Sequence, residues 1–344
     1  MTLTPLKTLV VGFGRIADTN TDDPLMAKYF QYSSHAQILS AHPSFDWIAV
    51  VDPSAEARAR AKKKWNVTEV QPYMTDLRSP ESIEVAIIST PPSARHGIIE
   101  QLPNLKAILV EKPLGTSLNE SKAFLEECYK RDILVQVNFW RRGVPLFQSL
   151  SNGLLHDKIG ALQTAFISYG NGLQNNGSHM IDFIEMLCGK IIRVMALAEP
   201  SKSKNLPIPG DIQMPLALTL ESGQVITMHP LDYKHYREAA IDLWGEKGRL
   251  SLYIESLVLQ EFPLDSNRGV IDACEIKSDA GTIENINVSE AYIKLYSNLI
   301  QALNKSELLL SPSYLATKTE LVINAAIQSG QNNGLAIDTS LNIN

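Results

Sequence analysis

Thr8-Leu9-Val10-Val11-Gly12-Phe13-Gly14-Arg15-Ile16-Ala17 is the stretch on which the fold turns. A β-type run passes directly into Gly-x-Gly-x-x-Ala, the fingerprint of a strand that turns into a dinucleotide-binding helix. The first glycine permits the tight turn, the second lets the backbone approach a pyrophosphate, and the small Ala17 allows close helix packing. Glycines punctuate many strand-to-helix turns, so the pattern draws its weight from following the first strand of the chain. It also requires an acid at the tip of the second strand. Trp47-Ile48-Ala49-Val50-Val51-Asp52 supplies one.

A carboxylate there can accept hydrogen bonds from ribose hydroxyls and would repel a 2′-phosphate, which favours NAD, with NADP as the alternative. Asp52 also suits a turn before Pro53, and both roles can hold at once. It lies 35 positions after Ala17 (52 − 17), against about 20 in the usual pattern. The polar Asp18-Thr19-Asn20-Thr21-Asp22-Asp23-Pro24 is therefore read as an insertion, either a plain surface loop or a lid, with a helix from Leu25 to about Ala41.

Further along, Ala55 to Trp65 reads as an amphipathic helix. Val85-Ala86-Ile87-Ile88-Ser89-Thr90 reads as a buried strand stopped by Pro91-Pro92, with Thr90 facing the crevice. His96 is expected at the start of the next helix, where a histidine commonly caps or packs. Ile108-Leu109-Val110 then ends in Glu111-Lys112-Pro113-Leu114-Gly115. Ligands of open parallel sheets bind at the carboxyl ends of the strands. A lysine there can be desolvated and exchange a proton with a substrate oxygen; a solvated Glu-Lys pair before a turn is the plainer reading. A helix follows from Ser117 to Arg131, with Ser117 and Glu120 as a capping box. Ile133 to Trp140 is the next strand, leading to Arg141. Strands alternating with helices specify a doubly wound parallel sheet, an α/β Rossmann domain over residues 1–141.

Beyond Arg142 the pattern changes. A helix near Pro145 to Leu155 precedes β-type runs at Ala161–Tyr169, Pro215–Leu220, Gln224–Pro230, Ala239–Trp244, Arg249–Ile254 and Leu257–Phe262. Their hairpin-like spacing predicts a mostly antiparallel sheet in an α+β domain over 142–344, with a loop at Ser201–Gly210 and closing helices at Ala291–Leu303 and Tyr314–Ser329. Asn175-Asn176-Gly177-Ser178-His179-Met180-Ile181-Asp182 opens another helix. At helical spacing Asn175, His179 and Asp182 can share one face. His179 could then join Lys112 in proton transfer while Asn175 meets a substrate hydroxyl; a cap at Asn175 or Ser178 with a structural His179 is the alternative.

The 344 residues, 44% hydrophobic and 20% charged, suit two globular domains. With 31 basic and 37 acidic residues the formal net charge is −6, which argues against nucleic acid as a partner. Cys128, Cys188 and Cys274 lack metal-ligand spacing and are expected as reduced, mostly buried thiols; no metal site is expected. Met1–Lys7 shows no apolar segment after a basic start, and no stretch approaches the ~20 apolar residues of a membrane span. A cytoplasmic protein is expected.

The glycine turn, Asp52, Thr90-Pro91-Pro92, Glu111-Lys112-Pro113, Arg141 and Gly177-Ser178-His179-x-x-Asp182, in that order, resemble the Gfo/Idh/MocA family, glucose–fructose oxidoreductase, inositol dehydrogenase and their relatives. Trp244-Gly245-Glu246-Lys247-Gly248 is similar to a turn common in its second domain. The resemblance implies an open-faced second sheet that often forms a homodimer or homotetramer interface. It also implies hydride transfer between NAD(P) and a carbohydrate carbon, the substrate being a sugar, a cyclitol, or a nucleotide-linked or amino sugar. The cofactor would be held by Gly12, Phe13, Gly14, Arg15, Ile16, Asp52, Thr90, Pro91, His96, Glu111, Lys112, Asn138, Trp140 and Arg141. Lys112, His179 and Asn175 would do the chemistry, with Asn176, Asp182 and Tyr236 beside the substrate. The family's usual aspartate four residues before the histidine is Asn175 here. An amide cannot relay a proton, so the burden falls on Lys112 and His179. A member that binds cofactor or sugar without dehydrogenation is the alternative.

Overall fold

The chain is described from a computed structural model over residues 4–201, 206–266, 268–271, 273–277 and 281–339. Residues 1–3 of the Met1–Lys7 stretch and 202–205 of the expected 201–210 loop lie outside these. Buried aliphatic runs become the strands β1 (Leu6–Val11), β2 (Phe45–Val51), β3 (Glu69–Gln71), β4 (Val85–Ile88), β5 (Ala107–Val110) and β6 (Leu134–Val137). They form one parallel sheet in the order β3-β2-β1-β4-β5-β6. The order reverses between β1 and β4, where a doubly wound sheet opens its ligand crevice. Both faces are covered: Leu9, Val11, Ile88 and Val110 face the helix Leu118–Lys130 through Leu125 and Cys128. Val10, Val50, Ile87 and Leu109 face the opposite way, onto the helices His35–Ala41, Ala55–Trp65 and Ala291–Leu303.

That last helix shows how the chain divides. One compact unit comprises 1–144 with 288–317, and the other 145–287 with 318–344. Val288–Thr317, which the sequence pattern places with the second half, thus supplies Leu295, Tyr296 and Leu299 to the core of the first unit.

Several helices differ from expectation. The segment Leu25–Ala41 is two helices, Pro24–Tyr29 and His35–Ala41, because Phe30 leaves the first in an extended conformation and Ser34 caps the second through the Gln37 N–H. After β4 no α-helix forms at His96; only short 3₁₀ turns, Pro92–Ala94 and Ile99–Gln101, span the crossover. At Leu118–Lys130 half of the capping box is present. Ser117 accepts from the Glu120 N–H, but the Glu120 carboxylate turns to the Thr116 N–H and hydroxyl. The helix from Pro145 is interrupted at Asn152 and Gly153, where Gly153 takes φ +115°, and resumes at Leu155–Ile159.

The inserted segment is tied down. Asp18, fully buried, accepts from Arg60 Nε at 2.8 Å, Trp65 Nε1 at 2.8 Å and Lys64 Nζ at 3.2 Å. Lys64 also reaches Asp22 at 2.9 Å. Its ammonium has lost solvent, which disfavours the charge, yet Asp22 and Asp18 together hold it above the ordinary lysine value.

The second unit is built on β7 (Leu162–Tyr169), β8 (Ile191–Ala196), β9 (Leu216–Leu220), β10 (Val225–Pro230), β11 (Ala240–Gly245), β12 (Gly248–Tyr253), β13 (Val258–Ser266), β14 (Cys274–Ile276), β15 (Ile283–Asn285) and β16 (Ile337–Asp338). The sheet runs β14-β13-β12-β11-β7-β10-β9-β8-β16, with β15 beside β13; among the described residues only the β7–β10 pair of this sheet is parallel. Ala165, Ile167, Tyr169, Ile241, Leu243, Leu250 and Leu252 point to the buried side, while Phe166 is 49% exposed on the other. Alternation of this kind is what a sheet with one covered face requires. Tyr169 donates to the Met214 carbonyl, and burial raises its phenol.

Among the described residues no helix is long and apolar enough to cross a membrane, and no cluster of His, Cys, Asp and Glu could hold a metal ion. All three cysteines are free; burial pushes the thiols of Cys128 and Cys188 up to about 12. Cys274 departs from the expected buried set, lying exposed on a short outer strand.

Candidate functional site

In the first unit the expected site residues gather at the carboxyl edge of the parallel sheet. Gly12 has φ +84°, and a Cβ there would meet the Thr90 backbone N at 2.9 Å, so a side chain is excluded twice over. A Cβ on Gly14 would meet nothing within 4 Å, which leaves open space where a pyrophosphate would lie. Phe13 is fully buried, packs on Trp47 at 5.9 Å between centroids, and donates its N–H to Asp52 Oδ2 at 2.6 Å. The other oxygen, Oδ1, accepts from the Ser54 N–H at 2.7 Å. Asp52 therefore serves both the glycine turn and its own turn before Ser54. Arg15 is exposed and Ile16 half-buried on the outgoing turn.

Beside them Thr90 Oγ1 is buried with no hydrogen-bond partner among the described residues. An orphaned hydroxyl, an open glycine and an acid at the tip of β2 fit a dinucleotide.

Arg95, 3% exposed, escaped the sequence reading. It donates to the carbonyls of Thr90 at 2.8 Å, Leu114 at 3.3 Å and Pro113, joining the turns after β4 and β5. An arginine in a proline-flanked turn gives no local sign that it will be buried. His96, the residue after it, is exposed and lines a cavity of about 420 Å³ with Glu100, Thr116, Glu120 and Phe124.

Glu111 and half-buried Lys112 stand at the end of β5, before a cis Lys112–Pro113 bond. Burial alone would raise the Glu111 carboxyl. His35, then Asn138, then Lys112 outweigh it and hold that group below the usual carboxylate range. Asn138 donates to Glu111 Oε1 at 2.6 Å. Arg141, 3% exposed, lies over the Trp140 ring at 4.6 Å, and Trp140 meets Phe30 edge-on at 5.4 Å.

The remaining expected site residues lie on the second unit. Leu173–Gly177 forms a wide π turn, closed by the Gly177 N–H on the Gly172 carbonyl, before the helix Ser178–Cys188. Asp211, also missed, holds it open by accepting from the N–H groups of Gln174 and Asn175 at 3.0–3.1 Å. Gly172, at φ +94°, makes room: a Cβ there would lie 2.0 Å from Asp211 Oδ2. Asn175 thus sits on the π turn, and the regular four-residue helical spacing to His179 does not apply. His179 and Asn175 are half-buried, whereas Asn176 and Asp182 are 6% and 2% exposed. Asn176 Oδ1 accepts from the Gly170 N–H and lies 3.2 Å from the Tyr233 hydroxyl. Tyr236 is 65% exposed.

Comparison with known proteins bears on the parallel-sheet unit above all. Residues 6–139 match the profile GFO_IDH_MocA, an oxidoreductase family with an NAD-binding Rossmann fold. The chain is 33% identical over 159 residues to the scyllo-inositol 2-dehydrogenase (NAD⁺) of Bacillus subtilis, covering 44% of each protein. It is 23% identical over 171 residues to the mouse trans-1,2-dihydrobenzene-1,2-diol dehydrogenase, covering 44% of this chain and 51% of that protein. The chain thus spans about half the length of these curated relatives. In fold it is similar to the WlbA dehydrogenase of Chromobacterium violaceum, solved with NADH and UDP-GlcNAcA, at TM-score 0.76 and 17% identity over 99% of this chain and 98% of that one. Over residues 6–139 the chain is thus similar to the GFO_IDH_MocA oxidoreductases, and the stretch matched is their NAD-binding Rossmann fold.

Proposed function

We propose that the protein is an NAD-dependent oxidoreductase acting at a secondary alcohol or ketone of a polyhydroxylated substrate: a cyclitol, a sugar or a nucleotide-linked sugar. The observation that carries this is the placing of Lys112 at the carboxyl end of β5, in the sheet whose first turn and second-strand acid fit the cofactor. Gly12 to Ile16, Asp52, Thr90 and Asn138 would hold NAD, which when bound supplies the hydride acceptor or donor.

The protein's own work is placement and proton handling. Neutral Lys112 would take the proton from the carbinol oxygen as the alcohol is oxidised, becoming the ammonium, and that ammonium would return the proton as the ketone is reduced. The Glu111 carboxylate beside it favours the charged ammonium. On the second unit, His179 would handle a proton and Asn175 would meet a substrate hydroxyl through its amide. The relatives that act on inositol and on a vicinal diol support a substrate with adjacent hydroxyls. The sheet face carrying Phe166 suits a second copy of this chain.

Titration of the purified protein with NADH and NADPH, read by tryptophan emission, tests the cofactor assignment. Saturation, tighter for NADH, followed by nicotinamide reduction with inositols or sugars, is expected. Binding of neither dinucleotide refutes the reading.

A further inference from the structure

A buried polar chain runs toward Lys112 from the far side of the sheet. Tyr296, 1% exposed on the helix Ala291–Leu303, has its hydroxyl 2.7 Å from His35 Nδ1. His35, also 1% exposed, has Nε2 3.3 Å from Glu111 Oε1, at ion-pair distance though off the hydrogen-bond axis. Asn138 donates to that same oxygen. With Nε2 carrying the proton toward Glu111, the Tyr296 hydroxyl donates to Nδ1 and fixes the tautomer. His35 is anchored in turn to the glycine turn: its N–H donates to the Ile16 carbonyl at 3.1 Å, and the Ala36 N–H to Ala17 at 2.9 Å.

A core role does not require this arrangement. The surroundings are apolar, with Ala36, Ile38, Leu39 and Phe45 in the same cluster, and the Phe45 ring meets Tyr296 edge-on at 5.5 Å. Burying an imidazole and a carboxylate there costs more than packing an aromatic hydrocarbon. The groups instead form a line whose last member is the neighbour of Lys112.

We propose that His35 is a positioning residue for Lys112: supported by Tyr296, it holds the Glu111 carboxylate, charged and fixed in direction, beside the lysine. This rests on the reading of Lys112 given above. The titratable groups facing the imidazole are Tyr296 and Glu111, with Lys112 acting on Glu111 from the next residue. The sign follows. Without His35 the buried Glu111 loses the larger of the influences that keep it ionised, so it protonates at higher pH. Lys112 titrates where Glu111 is ionised in either protein, so what it loses is the carboxylate's fixed direction: a Glu111 free to turn away favours the Lys112 ammonium less, and Lys112 loses its proton at lower pH.

The test is the titration of Lys112, read by NMR on protein carrying isotope-labelled dimethyl-lysine, with Lys112→Arg to assign the resonance. In His35→Phe it should move down by up to about one unit, the size of effect produced when a carboxylate neighbour turns out of reach. His35→Gln, which keeps a donor, should restore most of the shift. Tyr296→Phe, which keeps the ring packing, should show a smaller shift in the same direction and covers the case of a poorly folding His35→Phe. An unchanged Lys112 titration in a folded variant overturns the proposal. The readout needs no substrate, so absence of hydride transfer in the wild-type protein would count against the function above and not against this coupling.

Discussion

The Phe13 N–H donates to Asp52 Oδ2 at 2.6 Å, so the acid at the tip of β2 helps to shape the glycine turn that it faces. Asp52→Asn should therefore weaken NADH binding by about tenfold, the scale of one charge-assisted hydrogen bond. The gap between NADH and NADPH should also narrow, because the negative charge that repels a 2′-phosphate is gone. Parallel fluorescence titrations check this; an undiminished preference for NADH would remove Asp52 from cofactor selection.

Asp18 anchors the inserted segment to the helix Ala55–Trp65 through Arg60, Lys64 and Trp65. Asp18→Ala should cost about 2 kcal/mol, because Trp65 Nε1 loses its acceptor and the cations must turn to water. Urea denaturation measures the cost. Limited proteolysis should show new cleavage within 18–24, whereas a segment acting as a loose lid would be cut equally in both proteins.

Thiol reactivity should follow burial. At neutral pH iodoacetamide should modify exposed Cys274 and spare Cys128 and Cys188, whose thiols lie near about 12. Peptide mass spectrometry of the native protein reads the sites. Early labelling of Cys128 would mean that the core around it opens readily.

Phe166, with Ser168, Asp242, Tyr253 and Phe262, lines a shallow hollow on the exposed sheet face. If a second copy covers that face, Phe166→Glu should convert the assembly to monomers in light scattering, leaving the far-UV spectrum unchanged. A twofold interface would place the substituted residue at both contacts. An unaltered mass, or a wild type that is already monomeric, would contradict the assignment.

The sequence exposed the parallel sheet readily because strands buried on both faces are continuous aliphatic runs, as at Val85–Ile88 and Ala107–Val110. Helices with ordinary caps, such as Ala55–Trp65, were equally plain. Short strands at Glu69–Gln71 and Ile337–Asp338 had too few residues to show a period. The break at Phe30–Ser34 carries a sign that the reading passed over, because Ser34 is a cap residue in the middle of the segment and accepts from the Gln37 N–H. The positions of Gly12, Asp52 and Lys112 just past the ends of strands were legible. Their supports were not: His35 and Tyr296 are 261 positions apart, and Asp211 reaches Gln174 across 37. Pairings made by the return of Val288–Thr317 to the first unit leave no local signature in either partner.

Hydride transfer dependent on Lys112 is best tested with inositols and sugars deuterated at their carbinol carbons, incubated with NAD⁺ and either wild-type protein or Lys112→Met, with the mass of the NADH measured. The expected result is deuterium in the nicotinamide for at least one substrate, formed about a thousandfold more slowly by the variant, as the loss of a general base would produce. NADH binding should stay near the wild-type value. Label transfer at equal rates in the two proteins, or none from any substrate to a protein that binds NAD⁺, would contradict it.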